Sequence, residues 1–300
     1  MNTDMNQTAA AIEINGLSYA YGRAEAVHDF NLTVPTGRCY GLFGRNGAGK
    51  TTAMKCLLNL LRPRGGTVRV LGLDPARQEV QVKRRLAYVP DAVAFYPWMT
   101  VRETLDYLAS FRAHWNLEVE RDLLGRFRLE ARQTTGALSK GQRTQVALIA
   151  AICPEPELLL LDEPTSGLDP IVRREFIETV IGAYQEGDPG QRTILVSTHL
   201  IAEFEGLIDE FTLMDRGRNV LTLGADQARE RYQKIRARFP QAAPAIQFKD
   251  ALDIRRNGRE LELIANGGGA AILEQLRRLG PESLTSEALT LEEVFVATLK

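Results

Sequence analysis

The chain begins with short stretches in which apolar and polar residues alternate, from residue 12 to residue 43. "AIEINGLSYAY", "HDFNLTV" and "RCYGLF" predict strands bounded by glycine or Pro-Thr-Gly turns, with an antiparallel start to the fold. After Lys50 the pattern changes: "AMKCLLNLL" predicts a helix, whereas "GTVRVLG" and "RRLAYV" predict strands. A largely helical block then runs from Val101 to about Ile152.

Two short apolar runs, "LLLLD" and "TILVS", show no period at all. Runs of this kind are typical of parallel strands that are buried on both faces. The following segment, "EFTLMDRGRNVLTLG", predicts a hairpin that turns at Arg216 and Gly217. We therefore expect an α/β fold over residues 12–224, with an antiparallel β subdomain, a parallel-sheet core and a helical subdomain at about 95–155.

The pattern changes again after Gly224, where we predict a domain boundary. Residues 225–300 are expected to form a small α+β module with a hairpin around Asn257-Gly258 and a helix near Ala270–Leu279. A last helix is expected after Thr290, which has Glu293 three residues later. We interpret "ARERYQKIRARF" as a helix whose basic residues face solvent or a membrane surface. Residues 1–11 are expected to be flexible.

Composition narrows the possible partners. The chain has 37 Lys and Arg against 38 Asp and Glu, so no overall field attracts nucleic acid, and none is expected as a partner. The three cysteines lie far apart and form no C-x-x-C pair, which argues against disulfides and zinc and fits a reducing cytosol. No leader segment and no apolar run long enough to span a bilayer is expected.

The segment "GRNGAGKTT" matches the phosphate-binding pattern G-x-x-x-x-G-K-[ST]. It follows a predicted strand and opens a predicted helix, which is the context that this motif requires. Backbone N–H groups and the helix N-terminus would face the phosphates, Lys50 would reach the β and γ phosphates, and the Thr51 hydroxyl would bind Mg²⁺. The predicted nucleotide contacts are Gly44, Arg45, Asn46, Gly47, Ala48, Gly49, Lys50, Thr51 and Thr52.

Two adjacent acids, Asp162 and Glu163, follow the apolar run "LLLL". Ligands of open α/β sheets bind at the carboxyl ends of the strands, which is where these acids are expected. Asp162 is the predicted Mg²⁺ ligand, and Glu163 is the predicted base that polarises the attacking water. The alternative is that the pair only caps the following turn.

The segment "LSKGQ" predicts a second helix start suited to an anion, with Ser139 as its cap, Gly141 allowing close backbone approach, and Gln142. One nucleotide has little need of two such sites in one chain. The helix start at "LSKGQ" would then bind the phosphates of an ATP held by another subunit.

The ordered set "GRNGAGKTT", "LSKGQ", "LLLLDEP", "SGLD" and "STH" resembles the nucleotide-binding subunit of ATP-binding cassette (ABC) transporters, over residues 12 to about 224. The resemblance implies ATP and Mg²⁺, and two cassettes that meet head to tail. Each ATP would lie between the phosphate loop of one subunit and the "LSGGQ" signature of the other. Lys140 stands in place of the first signature glycine, which leaves the phosphate contacts to Ser139 and Gly141.

The resemblance also implies roles for three further residues. Tyr21 would stack on adenine, Asp169 would communicate across the dimer, and His199 would contact the γ phosphate. The alternatives are a core position for Tyr21 or for its neighbour Tyr19, and a structural role for the histidine.

Asp91, in "YVPDAVAFYPWMT", stands where the family usually has glutamine. We predict that Asp91 still binds Mg²⁺, through a water molecule, because hard cations accept oxygen ligands. Alternatively, Asp91 caps a turn by accepting a hydrogen bond from a backbone N–H two residues on. The aromatic residues Phe95, Tyr96 and Trp98 either line a groove for a partner helix or pack inside the helical subdomain.

The resemblance implies an ATPase subunit, peripheral on the cytoplasmic face of the membrane, that works with a second ATPase subunit and a transmembrane permease. The phrase "LEEVFVATL" at the end of the small module resembles exporter-type subunits with a separate permease. An importer subunit is the alternative within the family. A soluble ATPase acting on ribosomes or DNA is disfavoured, because there is one cassette and a short spacing from Thr52 to Leu138.

Overall fold

A computed structural model describes residues 9–185 and 192–299, which fold around three β-sheets. The strands are β1 (Ala10–Tyr21), β2 (Ala24–Pro35), β3 (Cys39–Phe43), β4 (Gly65–Val70), β5 (Leu86–Val89), β6 (Leu158–Asp162), β7 (Thr193–Thr198), β8 (Glu210–Asp215), β9 (Arg218–Gly224), β10 (Tyr232–Arg238), β11 (Ala251–Asn257), β12 (Glu260–Asn266) and β13 (Ser283–Ala288). The helices are α1 (Lys50–Leu57), α2 (Glu79–Arg85), α3 (Val101–Ala109), α4 (Leu117–Arg126), α5 (Lys140–Ile152), α6 (Pro170–Gln185), α7 (Ile201–Phe204), α8 (Ala225–Arg231), α9 (Gly269–Arg278) and α10 (Leu291–Thr298).

The first sheet is antiparallel, with strand order β2-β1-β4. The predicted antiparallel start is therefore confirmed. The predicted flexible stretch, residues 1–11, was too long, because β1 already begins at Ala10 and the side chain of Ala11 is buried. Residues 1–8 lie outside the described part of the chain.

The central sheet has six strands in the order β5-β6-β7-β3-β8-β9. All neighbouring pairs are parallel except the β8–β9 hairpin, which turns at Arg216 and Gly217 as predicted. β3, β6 and β7 are buried at every position, which explains their lack of a hydrophobic period. Their carboxyl ends lie side by side at one edge of the sheet.

Two helix boundaries differ from the sequence-based expectation. α1 begins at Lys50 and ends at Leu57, because Asn59 adopts a left-handed conformation with φ of 56°. Arg84 and Arg85 belong to α2 rather than to the strand predicted over "RRLAYV". The strand predicted there therefore starts only at Leu86.

The helical subdomain contains α3, α4 and α5. Thr100 begins α3 with a capping box, in which its hydroxyl accepts a hydrogen bond from the Glu103 N–H. The buried carboxylate of Glu120 on α4 receives two hydrogen bonds from Arg102 and one, of 2.8 Å, from Trp115 Nε1. This pairing satisfies a charge that burial would otherwise penalise.

The module after residue 224 has a four-stranded antiparallel sheet in the order β11-β12-β10-β13, with α9 packed on one face. The predicted hairpin is confirmed, but Asn257 pairs with Glu260, so the turn residues are Gly258 and Arg259. The helix predicted over "ARERYQKIRARF" was wrong beyond Arg231. Ile235, Ala237 and Phe239 are buried alternately with exposed arginines, and this period of two is that of a strand.

The ends of this module pack against the rest of the fold. Ala225 and Ala228 on α8 and Leu291 and Val294 on α10 join the same buried cluster as Phe204 on α7. The Leu291 N–H also donates to Glu205 Oε1 at 3.0 Å. The boundary at residue 224 stays a prediction, and the module shares part of its core with the preceding residues.

Candidate functional site

The phosphate-binding loop runs between β3 and α1, and close backbone contacts require two of its glycines. A Cβ atom at Gly44 would lie 2.4 Å from the Met214 carbonyl oxygen, and one at Gly49, where φ is 108°, would lie 2.5 Å from the Ala26 carbonyl oxygen. No other residue fits at either position without moving the backbone. The loop is thus held against β2 and β8 at a fixed distance from the sheet edge.

Lys50, the first residue of α1, is 4% exposed and points back across this loop. Its Nζ donates to the Gly44 carbonyl at 2.7 Å and to the Arg45 carbonyl at 3.2 Å. Nζ also lies 2.9 Å from Glu163 Oε1, an ion pair without hydrogen-bond geometry. A cation is therefore held where the loop would enclose phosphate groups.

Asp162, at the end of β6, is fully buried and receives hydrogen bonds on both oxygens. Thr51 Oγ1 and Ser197 Oγ donate to Oδ1 at 3.1 and 3.0 Å, and the Tyr88 hydroxyl donates to Oδ2 at 3.3 Å. Burial raises the pKa of Asp162 despite these donors. The pKa of Tyr88 is also raised, first by burial and then by the charge of Asp162.

Tyr88 is a site residue that sequence reasoning missed. It lies on β5, which pairs with β6 so that Tyr88 is opposite Leu160. The available signal was its position near the carboxyl end of a strand, three residues before Asp91. The position of Tyr88 indicates a site residue only once β5 is known to lie beside β6, because that pairing places its hydroxyl near Asp162.

Glu163 follows Asp162 and adopts a positive φ of 47°, which is unusual for a residue with a side chain. Its N–H donates to the Ser197 carbonyl at 2.7 Å, which fixes this conformation. Oε2 then lies 2.7 Å from His199 Nδ1 and 3.3 Å from both the Thr198 hydroxyl and the His199 N–H. The ends of β6 and β7 thus bring together an acid and a histidine beside Lys50.

The oxygen atoms available at this edge suit a hard divalent cation. Thr51 in the first turn of α1 and Asp162 at the end of β6 contribute a hydroxyl and a carboxylate whose oxygen atoms lie 3.1 Å apart. Within residues 9–185 and 192–299, no three His, Cys, Asp or Glu side chains form a metal-binding group. This donor set fits Mg²⁺, which keeps several waters and binds through one or two protein oxygens together with substrate phosphates.

Asp91 is exposed at the end of β5, and its side chain makes no hydrogen bond or ion pair with the described residues. The turn-capping alternative therefore lacks the backbone hydrogen bond that defines it. The charge of Asp91 does contribute to the raised pKa of Tyr88. Its role at Mg²⁺ stays a prediction.

The predicted signature residues lie at the start of α5 and bond locally. Ser139 and Gln142 form a reciprocal capping box, with distances of 3.1 and 2.9 Å. A Cβ atom at Gly141 would lie 3.1 Å from a Val172 methyl group, so this residue packs closely on α6. Asp169 Oδ1 accepts hydrogen bonds from the first N–H groups of α6. In the described residues, neither Ser139 nor Asp169 bonds to the Gly44–Thr52 loop.

Tyr21 and Tyr19 separate into different environments. Tyr19 packs against the core of the antiparallel sheet, whereas Tyr21 is 50% exposed and meets Tyr19 edge to face at 4.9 Å. The core position thus belongs to Tyr19. The ring of Tyr21 is available to a planar ligand.

The aromatic residues after Asp91 also differ in exposure. Phe95 packs partly on the core of the helical subdomain, whereas Tyr96 and Trp98 are exposed, Trp98 by 71%. Tyr107 on α3 and Phe111 just after α3 extend this surface, with centroids of neighbouring rings 5.1 to 6.2 Å apart. We call these four exposed residues, Tyr96, Trp98, Tyr107 and Phe111, the aromatic patch.

Comparison with known proteins agrees with this geometry. The ABC transporter family matches residues 27–166. The bacitracin transport ATP-binding protein BcrA of Enterococcus faecalis is 35% identical over 226 residues, which cover 74% of this chain and 72% of that protein. The chain belongs to the ABC transporter ATP-binding proteins.

Other members of the family match more of the chain or support its fold. The daunorubicin/doxorubicin resistance ATP-binding protein DrrA of Streptomyces peucetius is 32% identical over 317 residues, covering 99% of this chain and 94% of that protein. A solved ATP-binding subunit of an ABC transporter is 31% identical, with a TM-score of 0.66 over 73% of this chain and 92% of its own. The predicted α/β cassette fold is confirmed, and the chain is an ABC ATPase whose substrate is ATP. Within the described ranges, no helix combines the length and apolar character that a bilayer span requires.

Proposed function

We propose that this chain is the ATP-hydrolysing subunit of an ABC exporter whose permease is a separate chain. The names of its relatives support export, since they include bacitracin transport, daunorubicin/doxorubicin resistance and Nod factor export proteins. The observation that carries the hydrolytic role is the position of Glu163 between Lys50 and His199. The subunit would act peripherally on the cytoplasmic face of the membrane.

In this proposal each residue at the sheet edge has one task. Lys50 leaves its carbonyl acceptors and binds the β and γ phosphates, with the loop N–H groups around it. Glu163 orients water and accepts its proton, and His199 holds the Glu163 carboxylate and contacts the γ phosphate. Mg²⁺, held by Thr51 and Asp162, would neutralise charge on the phosphates. Tyr21 would stack on adenine.

The second half of each site would come from another cassette. Ser139, Gly141, Gln142 and Asp169 make only local hydrogen bonds in this chain, and Ser139 and Asp169 are exposed. The capped N-terminus of α5 is a helix start suited to an anion. A head-to-tail dimer would use it on the ATP held by the partner's phosphate loop.

The aromatic patch would receive the permease. Four exposed aromatic rings in mutual contact form an unusual surface, and exposed apolar patches mark interaction sites. The patch begins a few residues after Asp91, so a helix bound there would be coupled to the end of β5. A soluble ATPase has no evident need for this surface.

The test is to purify the tagged chain from its own membranes and identify what accompanies it. We expect a second ATPase subunit and a permease without a substrate-binding protein, and we expect Trp98→Ala to lose the permease. Leu252→Ala is the matched control, because Leu252 is exposed in the module far from the patch in sequence. A substrate-binding protein would indicate an importer, and ribosomal proteins without a permease would contradict the transport proposal.

A further inference from the structure

Lys140 makes a long-range contact that neither its position nor the motif predicts. It is the first residue of α5, directly after the capping residue Ser139. Its Nζ donates to the carbonyl oxygen of Ser166, 26 residues away, at 2.6 Å. Ser166 belongs to "SGLD", the segment that joins Glu163 to α6.

A lysine at this helix position is unfavourable unless something compensates for it. The N-terminus of a helix carries partial positive charge, and the first turn of α5 has no acidic residue. Holding an exposed lysine in one conformation also costs side-chain entropy. The contact with Ser166 therefore contributes little to stability, and its consequence is the fixed distance between two segments.

The segment that Lys140 contacts is a tight turn, and the residues on either side of it are also linked to α7 by a hydrogen bond and an ion pair. Gly167 has φ of 69°, and a Cβ atom there would lie 3.1 Å from Lys140 Nζ, so the lysine covers the turn closely. Thr165 Oγ1 donates to Glu203 Oε2 at 2.5 Å, and Glu203 also pairs with Arg173 at 2.6 Å. Glu203 lies on α7, just after His199, so the turn connects the His199 region to the start of α5.

We propose that Lys140 is a positioning residue that fixes the Ser166–Asp169 turn to the start of α5. Ser139, which is expected to contact the ATP of a partner cassette, and Asp169, which is expected to communicate across the dimer, are then held at a fixed distance from each other. This inference rests on the proposed two-cassette arrangement. In this proposal Lys140 acts through the turn, because its ammonium group is directed at the Ser166 carbonyl, and the experiment below separates this role from direct contact with phosphate.

The experiment compares Lys140→Met with Lys140→Arg in the complex purified with its permease. Methionine keeps the length and helix propensity but cannot donate, whereas arginine can still reach a carbonyl. We expect Lys140→Met to lower kcat about tenfold with an unchanged KM for ATP, because small misplacements of reacting groups are costly. Lys140→Arg should recover most of that loss, and Lys140→Gln, which is too short to reach Ser166, should behave like Lys140→Met.

Arg132→Met is the matched control, since Arg132 is an exposed cation in the same subdomain whose side chain bonds to no described residue. A kcat for Lys140→Met within twofold of the wild type would overturn the inference. So would a raised KM with an unchanged kcat, because that result indicates direct contact with the phosphate. Glu163→Gln in the same series separates the two proposals: if it still hydrolyses ATP, the proposed function fails independently of Lys140.

Discussion

His199 Nδ1 lies 2.7 Å from Glu163 Oε2, and the two residues come from the ends of neighbouring parallel strands. The backbone N–H of His199 also points to the same oxygen, at 3.3 Å. The histidine therefore fixes one carboxylate oxygen, while the other faces Lys50. This arrangement gives the proposed base a defined orientation before any partner binds.

Removing the imidazole should slow hydrolysis without preventing ATP binding. We expect His199→Ala to lower kcat about a hundredfold, because the orientation of the base is lost while the phosphate loop is intact. The control is His114→Ala, since His114 is exposed on the helical subdomain and, among the described residues, forms an ion pair with Glu155 alone. Steady-state ATPase assays on both variants check this. Equal activity of His199→Ala and the wild type would show that the contact has no role in turnover.

The buried charge of Asp162 should destabilise the fold at neutral pH. Its folded-state pKa is raised above the ordinary value of about 4, so the unfolded chain ionises more readily than the folded one. This penalty is fully present above the folded pKa and disappears as the pH falls through the unfolded pKa. Asp162→Asn should therefore raise the melting temperature at pH 8, by roughly 2–4 °C for each kcal/mol relieved, with a gain that shrinks towards pH 4.

Thermal unfolding of the wild type and Asp162→Asn without nucleotide, at several pH values, measures this difference. The variant should also lose Mg²⁺-dependent hydrolysis, which separates stability from activity. A gain that grows on acidification would have the wrong sign and would reject the burial argument.

Asp91 is predicted to act on the Mg²⁺ dependence of hydrolysis. Asp91→Ala should shift the Mg²⁺ midpoint and weaken stimulation by the permease, while metal-free ATP affinity changes little. Asp91→Gln, which restores the usual family residue, should retain stimulation better than alanine, because its amide oxygen can reach the water shell of the metal. Mg²⁺ titrations of the Ala, Asn and Gln variants test this. Full function of Asp91→Asn together with failure of Asp91→Gln would instead indicate a local turn role.

The packing of α10 predicts different costs for two valines in one helix. Val294 is fully buried against α7, whereas Val296 is 50% exposed. Val294→Ala should lower the free energy of unfolding by about 2 kcal/mol, because it removes buried methyl groups and leaves a cavity. Val296→Ala should change it by less than about 0.5 kcal/mol. Denaturant unfolding of both variants compares them, and equal costs would mean that α10 does not pack on the cassette as described.

Sequence reasoning succeeded where one segment carries both the chemistry and its context. "GRNGAGKTT" and "LLLLDEP" combine a motif with the strand that precedes it, so their place at the sheet edge followed from the sequence. Contacts between segments far apart in the sequence could not be predicted in this way. Tyr88 joins Asp162 only because β5 and β6 are neighbours, and Lys140 meets Ser166 only because α5 and α6 pack together.

Charged residues misled the prediction in the module. The arginines of "ARERYQKIRARF" suggested a helix face, but Arg236 pairs with Glu262 and Glu287 across two neighbouring strands. Such cross-strand pairs stabilise a sheet, and their partners lie many residues away. The short period of Ile235, Ala237 and Phe239 was the local signal for the strand.

Glu163→Gln tests the central claim most directly, because glutamine keeps the shape of the side chain and removes only the base. ATP hydrolysis should fall about a hundredfold or more, since proton transfer to the carboxylate is lost. ATP binding, measured by equilibrium titration, should be unchanged, and an ATP-dependent dimer should accumulate in size-exclusion chromatography. Turnover close to that of the wild type, with the variant folded and binding ATP, would contradict the assignment of Glu163 as the catalytic base.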